Sequence, residues 1–371
     1  MSGAEGVREL GPVALAFARS GPFLGAQRHG SGHIHETWVA RYGDANAERM
    51  LLQRLNPQVF PDLEILMENL RRVTEHVRAK LEATHPPELE RRSLRLVPTR
   101  AGAWLHVDAE GAAWRAFDFV TGTRSVDTVE SADQAFEAAR AFGGFAAQLS
   151  DLPGSRLRDT IAHFHDLARR SQAFERSLQA DLVGRAQQTA EETRRLRRAL
   201  AALGRDLPAA RLSSLPRRIA HHDCKINNLL LDTRTGEALC VVDLDTVMEG
   251  TLLSDFGGLV RTATCSAAED ERDLTRVEFD IELFEALARG YHAGTQGLLE
   301  PAEIGSLHAA GTYQALLDAT RFLKDHLDGD IYFRVSRDGQ NLDRARTQLR
   351  LAEKMLERRE ETAAAVARVF G

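Results

Sequence analysis

Apolar residues recur with two different periods along this chain, and the change of period falls near residue 130. Before it, short runs bounded by Gly, Pro or Asp predict β-strands. They are FLGAQR and HETWVARYG on either side of a glycine-containing turn, then Arg49–Leu55, Leu94–Pro98, Trp104–Val107 and Trp114–Val120. Two helices accompany them: VALAFARS within the first twenty residues, and one capped by Asp62 whose Ile65, Leu66, Leu70, Val73 and Val77 make an apolar stripe. From Ser131 onward the apolar positions fall at i, i+3 and i+4. This predicts helices over roughly 131–150, 170–203, 278–291, 301–326 and 339–369. One strand-like stretch interrupts them, Leu229–Leu231 and Ala238–Val242 around a turn at Asp232–Gly236. The pattern predicts an α+β chain: a small β-rich unit over 1–120, then a large helical unit over 121–371.

A chain of 371 residues exceeds the size at which one core stops growing, which agrees with two units. The 43% hydrophobic and 27% charged content is that of an ordinary globular protein. A net charge of −6 argues against a nucleic-acid or anionic-membrane partner, since those call for a basic face. The run Arg194–Arg198 follows Glu191–Glu192 at helical spacing and reads as a solvated face. Cys224, Cys240 and Cys265 are too scattered for a disulfide framework or a Cys-x-x-Cys site. No segment reaches the ~18 consecutive apolar residues of a membrane span, and the start of the chain lacks a secretory pattern, so a reducing cytoplasm is the expected setting. Oligomeric state is left open.

The chemistry concentrates in residues 219–257. His221 to Asn228 form a polar loop holding an acid at Asp223, a cation at Lys225 and amides at Asn227 and Asn228; the hairpin behind it returns two further acids, Asp243 and Asp245. Phosphoryl transfer from a nucleotide needs these types. One carboxylate accepts the proton of the attacking hydroxyl (Asp223), a lysine neutralises the moving phosphoryl group (Lys225), and an amide oxygen with carboxylates holds magnesium (Asn228, Asp243, with Asp245 as a second ligand or as a support behind the ligands). The spacing matches the catalytic-loop to metal-aspartate distance of protein-kinase-like folds. A literal Asp-Phe-Gly also occurs at Asp255–Gly257, but it opens an apolar helical pattern, so Asp255 reads as an acid bracing the loop.

The motifs HHDCKINNLLLD and CVVDLDTVMEG resemble those of the aminoglycoside phosphotransferase-like kinases, and most closely the N-acetylhexosamine 1-kinases. GHIHETWV, LLQRLNPQVFPDLEILMENLRRVTEH and LDGDIYF…NLDRARTQL extend the likeness over most of the chain. The resemblance implies a bilobal protein-kinase-like fold with a β-rich N-lobe and a helical C-lobe. It also implies a magnesium-ATP-dependent kinase acting on the anomeric hydroxyl of a free hexosamine. Gly30 and Gly32 then belong to a loop covering the phosphates, and Phe119 to Gly122, with Phe119 and Thr121 at its centre, to the hinge that reads adenine. The strand Arg49–Leu55 lacks the usual phosphate-pairing lysine, so that Gln53 or Arg54 takes over or the phosphate charge is handled elsewhere, with Glu68 the candidate partner of whichever cation does so. His33, His35, Arg321 and Tyr332, with Asp223, are the expected sugar contacts; a metal cluster of His29, His33 and His35 is the alternative for the histidines. Another small alcohol as acceptor, such as an aminoglycoside or choline, and a silent nucleotide-binding scaffold are the competing functions. His222, Cys224, Glu249 and Gly258 depart from the subfamily pattern.

Overall fold

The computed structural model describes residues 10–30, 34–43 and 48–371. A short helix α1 (Gly11–Ala16) precedes β1 (Phe23–Arg28), β2 (Glu36–Tyr42) and β3 (Glu48–Arg54); the long helix α2 (Leu63–Thr84) follows, then β4 (His106–Val107) and β5 (Ala113–Asp118). These strands form one antiparallel sheet in the order β1-β2-β3-β5-β4. Its two faces differ. Met50, Leu52, Trp114 and Ala116 pack outward against α1, whereas Leu51 and Phe117 join the core of the helical lobe. Asp62 caps α2 as predicted, accepting from the Ile65 N–H.

Sequence pattern overstated two strands. Residues 94–98 make only an isolated bridge, Leu96 with Phe117, because Pro98 and the turn at Gly102 break the ladder after it. Trp104 falls outside β4 for the same reason.

The chain leaves the sheet through β6 (Thr123–Arg124) and builds the helical lobe: α3 (Ala132–Leu149), α4 (Leu167–Ala180), α5 (Ala190–Asp206) and α6 (Ala209–Ser214). Strands β7 (Arg218–Ala220), β8 (Leu229–Asp232), β9 (Ala238–Val241) and β10 (Met248–Gly250) then carry the polar stretch. They are followed by α7 (Leu252–Ala263), α8 (Ile281–Thr295), α9 (Pro301–Ile304), α10 (Ala310–Leu327), α11 (Gln340–Glu357) and α12 (Arg359–Phe370). Helices predicted as single pieces over 170–203, 301–326 and 339–369 are each divided, the first at Asp181, which takes a left-handed backbone. Where α8 crosses α3, a Cβ on Gly290 would meet the Phe136 carbonyl at 2.1 Å and one on Gly294 the Arg140 carbonyl at 2.3 Å, so the helices touch backbone to backbone. That contact seats α3, whose Phe142 and Phe145 pack against His221 of the polar loop.

Candidate active site

The polar loop begins where β7, paired to β10, runs out at Ala220. Asp255, on α7 and 2% exposed, accepts the His221 N–H and the His222 N–H at 2.8 Å each, one on each carboxylate oxygen. The literal Asp-Phe-Gly is thus turned inward as a clamp on the loop. His221 adds a second tie: its Nε2–H donates to the Val242 carbonyl (3.0 Å) and its Nδ1 accepts the Asp223 N–H (3.2 Å). His222 takes a left-handed φ of 65°, a conformation that Asn and His tolerate better than most residues, which lets His replace Asn there. The Gly258 departure has a steric counterpart, since a Cβ at that position would lie 3.0 Å from the Cys224 carbonyl.

Asp223 emerges half-buried. Its Oδ2 accepts from Lys225 Nζ (2.9 Å) and Asn228 Nδ2 (3.0 Å). Burial alone would raise its carboxyl, but Lys225, His221 and Asn228 together outweigh that and hold it below the ordinary carboxylate range, ionised and able to accept a proton or orient a hydroxyl. Because Asn228 also donates through Nδ2 to the Asp223 carbonyl (2.8 Å), its amide oxygen faces away from Asp223 and is free as a hard donor.

The Asn228 carbonyl accepts the Val242 N–H (2.9 Å), which places the next residue, Asp243, beside the loop in a left-handed turn (φ 59°, ψ 57°). Its side chain opens to the cleft. Burial, then Asp245, then Asp223 push its carboxyl up to about 6, outweighing the opposing pull of Lys225 and Arg115. Asp245 is different. Oδ1 accepts from one Arg115 terminal nitrogen (2.5 Å), and Oδ2 from the other (2.8 Å) and from His35 Nε2 (2.6 Å). Burial would raise this carboxyl too, but Arg115 and His35 hold it well below the usual range. With both oxygens engaged and 2% exposure, Asp245 has no free oxygen for a metal and stands behind Asp243, the supporting one of the two roles the sequence left open. His35 is likewise engaged at both nitrogens, since its Nδ1 accepts the Asn56 N–H (3.1 Å), so it does not face a sugar.

On the nucleotide side, Gly30 takes φ 72° with open space around it, while Gly32 and His33 lie outside the described residues. Arg54 alternates with Gln53 and therefore sits on the outward face of the sheet, at its rim with Glu36 (3.5 Å); the cation facing inward is Arg115, opposite Gln53 on β5 and bonded to it through Nε–H (2.9 Å). Glu68 pairs with Arg71 instead of that cation. Phe119 lies between His29 and the Arg49 guanidinium, and the Thr121 carbonyl is turned to Arg91 (3.0 Å) rather than to the cleft.

On the acceptor side, Arg321 of α10 is held by Asp318 (3.0 Å) between the rings of Phe164 and Phe333. Tyr332 is 59% exposed and packs its ring on the other side of Phe333 (4.8 Å). Asp318 also pairs with Arg261 (3.1 Å), so two arginines share one carboxylate. Arg115, Phe164, Asp318 and Phe333 were missed by sequence reasoning. Only Arg115 carried a signal there: a charged residue at a position of a central strand whose neighbours two away are apolar.

Among the described residues, no group of three or more His, Cys, Asp or Glu is gathered as a metal cage. Magnesium does not need one, since it binds through one or two carboxylates plus substrate phosphates. Asp243 and the Asn228 amide oxygen fit that pattern.

A family model described as "Phosphotransferase enzyme family" matches residues 25–303, more than half of the chain. The chain belongs to this family. Among solved structures it is similar to the microcompartment-associated aminopropanol kinase, with 17% identity, a TM-score of 0.58 and 97% and 98% of the two chains covered. It is similar to a spectinomycin phosphotransferase in complex with ADP and spectinomycin, at 11% identity and TM-score 0.56 over 96% and 98%. The choline kinase of Cryptosporidium parvum Iowa II gives 13%, 0.52 and 93% of each chain. At these identities the likeness is one of fold: an antiparallel-sheet N-lobe and a helical C-lobe of the protein-kinase type. No helix among the described residues is long and apolar enough to cross a membrane.

Proposed function

We propose that this phosphotransferase moves the γ-phosphoryl group of ATP to the anomeric hydroxyl of an N-acetylhexosamine, giving the sugar 1-phosphate. The observation that carries the acceptor class is the charge around Arg321. Arg321 stacks on the Phe164 ring (5.3 Å), Arg170 donates to the Phe164 carbonyl (3.3 Å), and Arg261 shares the Asp318 carboxylate with Arg321. Three arginines against one shared carboxylate disfavour aminoglycosides, choline and aminopropanol, which are cations, and suit the hydroxyls and acetamido carbonyl of a neutral sugar. Asp223 orients or deprotonates the attacking hydroxyl, and Lys225 offsets charge on the transferring group. Asn228 and Asp243 are the residues that would hold magnesium, whose role when bound is to neutralise phosphate charge. The spectinomycin phosphotransferase of the same fold was solved with ADP, which supports the nucleotide.

The test is ADP release by purified protein with magnesium-ATP and a panel of acceptors. N-acetylglucosamine and N-acetylgalactosamine should be turned over, and choline, aminopropanol and aminoglycosides should not. Turnover of a cationic alcohol with none of either sugar overturns the acceptor class.

A further inference from the structure

We propose that Arg115 is a positioning residue of the phosphotransfer site, fixing Asp245 and, through it, the left-handed turn that presents Asp243. The proposal rests on the reading that Asp243 receives the nucleotide's divalent cation.

The strand that faces the cleft beside Arg115 has Gln53 where a cation would be expected, and Gln53 is spent on Arg115 Nε–H. Arg115, 2% exposed with its guanidinium over the Phe117 ring, directs both terminal nitrogens to one carboxylate two residues past Asp243. Three other segments converge there. His35, arriving just before β2, donates to the same carboxylate; Asn56 fixes the His35 tautomer; and Thr160 donates to the Asp245 carbonyl (2.8 Å). A left-handed aspartate persists only where its surroundings over-determine it, and here the next acid is gripped from the sheet and from the helical lobe at once. A buried ion pair is weak evidence of stability for its own sake, because apolar side chains of similar volume fill such a site at least as well. Its bidentate geometry instead defines direction, which is what a residue that aims a turn must do. The sheet is therefore bolted to the metal-side turn directly; helix α2 reaches the turn only beyond Asp245, through Asn69 to the Val247 carbonyl (3.3 Å), while its Glu68 lies on the surface with Arg71.

The experiment uses the full chain and three readouts: melting temperature, binding of a fluorescent ATP analogue titrated with Mg2+, and turnover. Arg115→Lys keeps the charge and loses the two-point grip. It should leave metal-free analogue binding at the parental level, move the Mg2+ dependence at least tenfold to higher concentration and lower kcat at least tenfold. Arg115→Met/Asp245→Asn removes both buried charges, so it should melt near the parent while showing the same shift in Mg2+ dependence. A folded double variant with parental Mg2+ dependence and kcat overturns the proposal. So does Arg115→Lys losing metal-free analogue binding with its Mg2+ dependence unchanged, which would make Arg115 a phosphate ligand. Asp243→Asn is the control: if it leaves the Mg2+ dependence untouched, the underlying reading and this proposal both fall. If it abolishes that dependence and the Arg115 variants do not shift it, only this proposal fails. The melting temperature and the Mg2+ dependence of analogue binding are read without any acceptor.

Discussion

The two sides of the cleft are built differently. Around the polar loop, polar atoms are met by partners within the same stretch of chain: Asp255 holds two backbone N–H groups, His221 ties the loop to Val242, and the Asn228 carbonyl sets the turn to Asp243. On the acceptor side, Arg321 is held by ring faces and one carboxylate, and Tyr332 stands mostly in solvent. A network of buried, mutually dependent hydrogen bonds fails as a unit when one member is lost, whereas aromatic and rim contacts fail by degrees. On the function proposed above, the rigid side carries the reaction type and the side that tolerates change carries the choice of acceptor.

The strongest way to break this contrast is at Asp223. Asp223→Asn keeps the shape of the side chain and removes its ability to accept a proton, so kcat should fall by ~10²–10⁴-fold while ATP-analogue binding stays intact. Near-parental turnover would remove Asp223 from the chemistry. Next is Asp255→Ala, which leaves the His221 and His222 N–H groups buried without acceptors. At ~1–3 kcal/mol for each unmet group, the loss of stability should be roughly 3 kcal/mol, read as a drop in melting temperature. Should Asp255→Ala instead melt with the parent and lose Mg2+-dependent nucleotide binding, the Asp-Phe-Gly would be the metal site.

Much of the rigid side was legible in the sequence because its chemistry is local. Asp223, Lys225 and Asn228 share one loop, and the strand–turn–strand pattern leads on to Asp243. Asp255 was readable as structural because it opens an apolar helix. What could not be read were pairings between elements. Nothing in RMLLQRL or AWRAFDF says that Gln53 lies opposite Arg115, a matter of register that turned the search for a phosphate-side cation toward Arg54. Asp245 could be read as a ligand or a support, and His35 as a sugar contact, because each is the right residue type near the right motif; only the contact between them, 210 residues apart, shows that they use each other. The acceptor side depends on Phe164 from one irregular segment and Phe333 from another, so its geometry had no local signature.

The acceptor side gives a smaller, graded effect. Arg321→Ala removes a cation whose stacking and Asp318 contact orient it, and kcat/KM for N-acetylglucosamine should fall ~10–200-fold with the KM for ATP unchanged. Tyr332→Phe removes one exposed hydroxyl, and its effect should be several-fold smaller. If both variants treat the N-acetylhexosamines as the parent does, the sugar does not lie against this wall. A rise in the ATP KM alone would assign Arg321 to the nucleotide.

The smallest effect concerns His222, which belongs to the rigid side but carries no proposed chemical role. Burial, then the neighbouring His221, hold His222 at about 4, and His165, 3.3 Å away through facing Nδ1 atoms, is depressed as well. In the unfolded chain a histidine titrates near 6.5. Between pH 6.5 and 4 the unfolded state therefore binds more protons than the folded one, so the stabilisation tied to a neutral His222 is present above pH 6.5 and is lost as pH falls through that window. One pH unit below 6.5 this amounts to about 1.4 kcal/mol for one such group. His222→Asn removes the titrating ring and still accepts the left-handed backbone, so the variant should lose less melting temperature than the parent between pH 7 and 5.5. Parallel melting curves for the two proteins over that range would show that the ring is not held neutral, and that the loop tolerates a charge where its packing against His165 and Ser254 says it cannot.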